Sequence, residues 1–247
     1  MNERVQNNND DESVITITSV SKAFGSRVVL DNVDLGVYKT QGICICGVNG
    51  AGKSTLLRII AGLLRPAKGS VRLCGFDVSV EPEKAKPHLG LISHKSMLYP
   101  ELTISENLRF FARLYGVRNA HDRIQKLIED VGLSPYRYDK ACVLSRGMLQ
   151  RLAIARAIVH NPTVLLADEP FTGLDTQASQ HLINVLDKFQ ADGGTLVMTT
   201  HNTRLALECC DRVVVLDKGS FIFDAKTSQI DTGPFIEDYC AYARSRN

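Results

Sequence analysis

Gly47-Val48-Asn49-Gly50-Ala51-Gly52-Lys53-Ser54 decides how this chain is read. The stretch has the form G-x-x-x-x-G-K-[ST], follows a short apolar run at 42–46, and opens a helical pattern at 54–64. Glycines in such a loop let successive backbone N–H groups turn inward around phosphates, and the helix N-terminus adds its positive end. Lys53 is placed to reach the outer phosphates and the Ser54 hydroxyl to ligate Mg²⁺, with Thr55 beside it counted in the same binding set. A glycine-rich turn between strand and helix is by itself only structural. Lys53 and Ser54 at these offsets imply nucleoside triphosphate binding.

The matching acidic strand is Thr163-Val164-Leu165-Leu166-Ala167-Asp168-Glu169. It delivers carboxylates to the C-terminal edge of a sheet, where open α/β folds bind their ligands. Asp168 is expected to hold Mg²⁺, directly or through water, and Glu169 to polarise the attacking water. Working outward, strands are expected at 14–20, 27–37, 42–46, 163–167 and 195–200. Helices are expected at 54–64 and at 176–190, the latter with Leu182, Val185, Leu186 and Phe189 on one face. Strands alternating with helices imply an α/β fold around a parallel sheet.

Composition agrees with a globular chain of this class. Among 247 residues, 29 Lys and Arg stand against 27 Asp and Glu, a net charge of +2, which argues against a dedicated nucleic-acid binder. No stretch approaches the roughly 18 consecutive apolar residues of a bilayer-spanning helix. Residues 1–12 lack the apolar core of a secretory signal and are read as a disordered, solvated tail. Seven scattered cysteines fit no metal or redox spacing, and Cys44 and Cys46, alternating on one strand, are expected to face the core together.

The middle, about 95–160, reads as a helical insert. Thr103-Ile104-Ser105-Glu106 has the form of a capping box, and Ile124, Leu127, Ile128 and Val131 make one apolar stripe before Gly132. The chain thus divides into a tail at 1–12, a nucleotide-binding domain at 13–230 and a C-terminal helical tail at 231–247, expected to be solvated.

Leu144-Ser145-Arg146-Gly147-Met148-Leu149-Gln150-Arg151 precedes the acidic strand and resembles the Leu-Ser-Gly-Gly-Gln signature of ATP-binding-cassette (ABC) ATPases. With it, the order of motifs over about 14–225 is similar to an ABC nucleotide-binding subunit. That resemblance implies a P-loop core with N-terminal antiparallel strands and a helical subdomain, using ATP and Mg²⁺. It implies an adenine-stacking role for Phe24, a switch role near the γ-phosphate for His201, and a place for Asp175 in the loop Thr172-Gly173-Leu174-Asp175. Ser145 and Gly147 are implied to act in trans, on ATP bound to a second copy, so the expected active form is a dimer. Taken alone, Phe24 and His201 fit ordinary packing, and Ser145 a helix cap.

Arg146 and Met148 depart from the broad signature, and His94 stands where most members carry a glutamine that contacts Mg²⁺ and the membrane partner. These departures, together with Asp168-Glu169-Pro170-Phe171 and the stretch from Ser93-His94-Lys95 through Tyr115-Gly116-Val117, resemble the ATPase subunits of cytochrome c maturation haem exporters. The resemblance implies a peripheral ATPase on the cytoplasmic face of the cell membrane, partnered by integral membrane subunits and not by nucleic acid. The segment Thr103 to Tyr115 is the expected docking region: Leu108, Phe110, Phe111 and Leu114 are too many for one buried stripe, although core packing is the better reading of them individually. A soluble, non-transport ABC protein is disfavoured because neither a second cassette nor a long coiled coil is present. A GTPase is disfavoured because no Asn-Lys-x-Asp motif occurs.

Overall fold

The computed structural model describes residues 13–93 and 96–246. From the N-terminus it runs through β1 (Ser13–Phe24), β2 (Arg27–Tyr38), β3 (Gly42–Cys46), α1 (Lys53–Ile60), β4 (Lys68–Leu73), β5 (Phe76–Asp77), the single turn α2 (Pro82–Ala85) and β6 (Leu89–Ile92). Three helices follow, α3 (Ile104–Leu114), α4 (Ala120–Asp130) and α5 (Arg146–Ile158). The chain then continues as β7 (Val164–Asp168), α6 (Thr176–Ala191), β8 (Thr195–Thr200), α7 (Thr203–Cys209), β9 (Arg212–Asp217), β10 (Ser220–Lys226) and α8 (Thr232–Arg246). The tail at 1–12 and His94 lie outside the described residues.

The strands make two sheets, an antiparallel one ordered β2-β1-β4-β5 and a six-stranded one ordered β10-β9-β3-β8-β7-β6. The second is parallel throughout except for β10, which pairs antiparallel with β9 at the edge. The mixed α/β class with antiparallel N-terminal strands is therefore as expected. β3, β8 and β7 are neighbours, so the strand ends that carry Gly47, His201 and Glu169 open side by side, with Cys46 opposite Thr200 and Asp168 opposite Thr199.

Alternation along the buried strands sorts the interior into two cores. Ile43, Ile45, Leu166, Val197 and Val214 face α1 and the antiparallel sheet. Cys44, Cys46, Leu165, Met198 and Val215 face the helices α3 to α6. The two thiols meet at 3.7 Å and burial pushes that of Cys44 well above its ordinary range, so they pack as small hydrophobes.

The helices between β6 and β7 are held by their own ends. Thr103 and Glu106 make the expected capping box on α3. Asn107, wholly buried, donates to the carbonyls of Tyr99, Leu102 and Thr103 and accepts from the Tyr99 N–H, fixing the entry loop. Leu108 is buried, whereas Phe110 and Leu114 are exposed.

Several expectations shift. The helix expected at 54–64 stops at Ile60, because Gly62 turns into the left-handed region (φ 66) and Pro66 follows. The acidic strand is displaced by one residue, starting at Val164 and including Asp168. The C-terminal segment is helical, but not simply solvated. Tyr239 is buried in the same core as Cys44 and Cys46, and that burial pushes its phenol well above its ordinary range.

Candidate active site

β3 ends at Cys46, and the loop it feeds turns into α1 at Gly52, which adopts φ 113. A Cβ there would lie 2.7 Å from the Val29 carbonyl oxygen and 2.9 Å from Leu30, so only glycine fits both the backbone and the space. Lys53 is almost wholly buried, and a buried ammonium must be paired. Its Nζ donates to the carbonyls of Gly47 (2.7 Å) and Val48 (3.2 Å) and lies 3.9 Å from the Glu169 carboxylate.

Across the sheet edge, Asp168 is buried and accepts on one oxygen from the hydroxyls of Ser54 (3.0 Å) and Thr199 (2.7 Å). Glu169 sits in the left-handed region (φ 50), an uncommon conformation for this residue type, held there by the strand ahead and by its N–H donating to the Thr199 carbonyl and hydroxyl. One Glu169 oxygen faces Lys53, and the other accepts from His201 Nδ1 at 2.8 Å. A carboxylate only accepts, so Nδ1 carries the proton and Nε2 points away. His201 itself is largely exposed.

These groups share a cleft of about 460 Å³ lined by Asn49, Gly50, Ala51, Gly52, Lys53, Ser54, Thr55, Glu169, Thr172 and His201, closed on one side by Arg27 and Val29 of β2. Gly47 and Val48 enter through their carbonyls on Lys53 and do not line it. Phe24 does not line it either. It stands at the end of the β1–β2 hairpin, paired in register with Arg27, half exposed and with Lys22 5.4 Å from the ring centre.

Ser145, Gly147 and Asp175 are not brought to this cleft. They line a second one, of about 380 Å³, where the N-termini of α5 and α6 lie side by side. Ser145 caps α5, accepting from the Met148 N–H, and Asp175 caps α6, accepting from Ala178. Thr199, Arg27 and Tyr239 were not singled out from the sequence. Only the strand order places the first two, and nothing in its surroundings marks Tyr239.

Ser54 and Asp168 offer hard oxygen donors within 3.0 Å of each other. Among the described residues no three His, Cys, Asp or Glu side chains cluster as a dedicated metal cage. One carboxylate and one hydroxyl suit Mg²⁺, which is commonly held by few protein oxygens together with substrate phosphates and water.

Comparison with known proteins bears on the same residues. A family model described as "ABC transporter" matches residues 30–172, and one described as "AAA domain, putative AbiEii toxin, Type IV TA system" matches the shorter stretch 140–208. The Nod factor export ATP-binding protein I of Cupriavidus metallidurans is 36% identical over 220 residues, 88% of this chain and 73% of that protein. The ABC transporter ATP-binding protein NatA of Bacillus subtilis is 35% identical over 218 residues, 85% of this chain and 88% of that protein. The linearmycin resistance ATP-binding protein LnrL of the same organism is 32% identical, over 83% of this chain and 66% of that protein. Among solved structures, an ATP-binding subunit of an ABC transporter aligns with TM-score 0.84 at 26% identity, over 94% of this chain and all of the other. A dimeric post-hydrolysis ATP-binding cassette bound to ADP and Pi aligns with TM-score 0.79 at 28% identity, over 86% of this chain and 98% of the other.

Proposed function

This chain belongs to the ABC transporter family as an ATP-binding, ATP-hydrolysing subunit, and on that premise we propose how its residues divide the work. Two copies close over two ATP molecules, each held between the phosphate cleft of one and the Ser145–Gly147 cleft of the other. What supports this most is the separation of the two clefts on one chain: the first has the hydrolytic groups and the second has the signature.

In the phosphate cleft, Lys53 exchanges its two carbonyl partners for phosphate oxygens, which bind an ammonium more strongly. The N–H groups from Gly50 to Thr55 and the N-terminus of α1 cradle the same phosphates. Ser54 and Asp168 would hold Mg²⁺, which when bound neutralises charge on the β- and γ-oxygens. His94, which the resemblance places at the Mg²⁺- and partner-contacting position and which is expected to serve coupling more than metal binding, lies outside the described residues. Glu169 takes the proton from the attacking water. His201, oriented by its hydrogen bond to Glu169, presents Nε2 to the γ-phosphate. Phe24 stacks on adenine from the hairpin end, and Asp175 meets the partner's nucleotide beside Ser145 and Gly147.

Closure of the pair moves α3 to α5, and the segment 103–115, with Phe110 and Leu114 outward, docks on integral membrane subunits at the cytoplasmic face. Among the described residues no helix is long and apolar enough to cross a membrane, so on this reading the chain is peripheral. We read the work as export. For the cargo we propose haem, on the strength of His94, Arg146-Gly147-Met148 and Asp168-Glu169-Pro170-Phe171, while the relatives above are named for other cargoes.

Glu169→Gln tests the reading. Removing the base should slow ATP turnover by about 10²–10⁴-fold while ATP still binds and the dimer persists; unchanged turnover removes Glu169 from the mechanism. The same variant, purified from detergent-solubilised membranes, should bring small membrane subunits and a haem absorption band with it. A permease without haem would keep the mechanism and remove the cargo.

A further inference from the structure

Arg146 occupies the signature position at which the broad family pattern has glycine, and its exposed side chain is folded back onto the chain. A Cβ built on Gly173 would come within 2.2 Å of Cζ, 2.3 Å of Nη1 and 2.6 Å of Nη2 of Arg146, so the guanidinium lies against the bare Gly173 backbone. Nη2 also donates to the Thr172 carbonyl at 3.0 Å. Gly173 has φ 75, so both the backbone and the arginine require glycine there.

A second side chain of α5 reinforces this contact, because Gln150 Nε2 donates to the Pro170 carbonyl at 2.9 Å. Residues 170–175 therefore hang from α5 at two points. The segment leaves Glu169, which lines the phosphate cleft together with Thr172, and ends at Asp175, which lines the signature cleft. At that far end α5 and α6 nearly touch, since a Cβ on Gly147 would lie 3.2 Å from that of Ala178.

We propose that Arg146 is a positioning residue that yokes the Thr172–Asp175 turn to the signature helix of its own chain. A displacement of the helices between β6 and β7 then reaches the backbone that follows Glu169, so motion of the signature cleft is passed to the edge of the phosphate cleft. The yoke itself is geometric. Its catalytic consequence rests on the function proposed above. Arginine suits the role because its planar fork covers a peptide while donating to the neighbouring carbonyl, which a lysine ammonium does not do.

Four chains test this: wild type, Arg146→Ala, Gly173→Ala and the double variant. Hydrogen exchange at 170–175 in nucleotide-free protein reads the yoke without reference to ATP. It should rise about tenfold in Arg146→Ala, with the thermal midpoint unchanged because Arg146 is exposed. For ATP turnover, kcat should fall about tenfold in the same variant, while the ATP affinity of the isolated chain stays within about twofold, since Arg146 lines the signature cleft and not the phosphate cleft. Gly173→Ala should lose at least as much, because the new methyl expels the guanidinium and alanine also strains the backbone at φ 75. The double variant should lose less than the product of the two single losses, the clash having been removed already. Arg146→Lys should recover little of the lost kcat.

Unchanged exchange in Arg146→Ala, or single-variant effects that multiply in the double, would overturn the yoke. Raised exchange with unchanged kcat would overturn the coupling. The expected exchange pattern in a chain whose wild type does not hydrolyse ATP would support the yoke and count against the catalytic reading instead.

Discussion

The phosphate cleft and the signature cleft sit on one chain but are built on opposite plans. In the first, β3, β7 and β8 bring buried charges together. Lys53 donates two hydrogen bonds to carbonyls of the loop after β3, and Asp168 accepts two, one from Ser54 of α1 and one from Thr199, which strand register sets opposite it. In the second, two capped helix N-termini lie side by side with Ser145 and Asp175 exposed, tied to the rest by side chains reaching single carbonyls. Buried charges have to be satisfied within the chain, so the first cleft is preorganised. Exposed helix ends take their position from how the helices lie. The second surface is thus the one suited to move and to be completed by another molecule.

That contrast predicts unequal responses to substitution. Lys53→Ala should lower ATP affinity by about 100-fold, because it removes a charge-assisted contact to the phosphates. Ser145→Ala should leave the affinity of the isolated chain within about twofold while lowering turnover. Equilibrium ATP titration of both variants checks the pair, and an equal loss in both would erase the distinction. A smaller effect is expected from Thr199→Val. One of two hydrogen bonds to the buried Asp168 disappears, and stability should fall by about 1–2 kcal/mol in thermal or urea unfolding.

The smallest effect concerns the joint between the helices and the parallel sheet. His160 stacks on Tyr115 at 3.8 Å and hydrogen-bonds the Leu89 carbonyl at 3.1 Å, and burial, aided by Arg156 and Arg123, pushes its imidazole down to about 4. The unfolded chain, near 6.5, binds the proton first. The neutral ring's contribution is therefore complete above about pH 6.5 and is lost as pH falls toward 4. After allowing for the part of the ring that solvent reaches, the share of that loss falling between pH 7 and 5 is on the order of 1 kcal/mol or less. His160→Asn should flatten the fall in melting temperature between pH 7 and 5; an unchanged slope would place the acid sensitivity elsewhere.

Much of this contrast was legible in the sequence because its parts are contiguous. The phosphate loop, the Asp168–Glu169 strand end and the Thr103–Glu106 capping box are each read within eight residues, and the structure places them on the expected elements. What escaped was set across the chain. Thr199 meets Asp168 only because β8 lies beside β7, and Arg27 lines the cleft only because the antiparallel sheet folds over α1. β4, β6 and β9 are short, with four to six residues each, and give no clear alternating pattern. Tyr239 was read with the rest of a segment expected to be solvated, and only packing in the core of Cys44 and Cys46 draws it inward.

The central claim is that the two clefts of one chain serve different ATP molecules, and mixing two inactive variants tests it most directly. In a two-fold dimer of one Lys53→Ala chain and one Ser145→Ala chain, both lesions fall on the same composite site and the other site is intact. An equal mixture should therefore regain turnover, up to about a quarter of wild type if the sites work independently. A mixture as inactive as its components would contradict the account, because it would mean that Lys53 and Ser145 act on the same nucleotide within one chain.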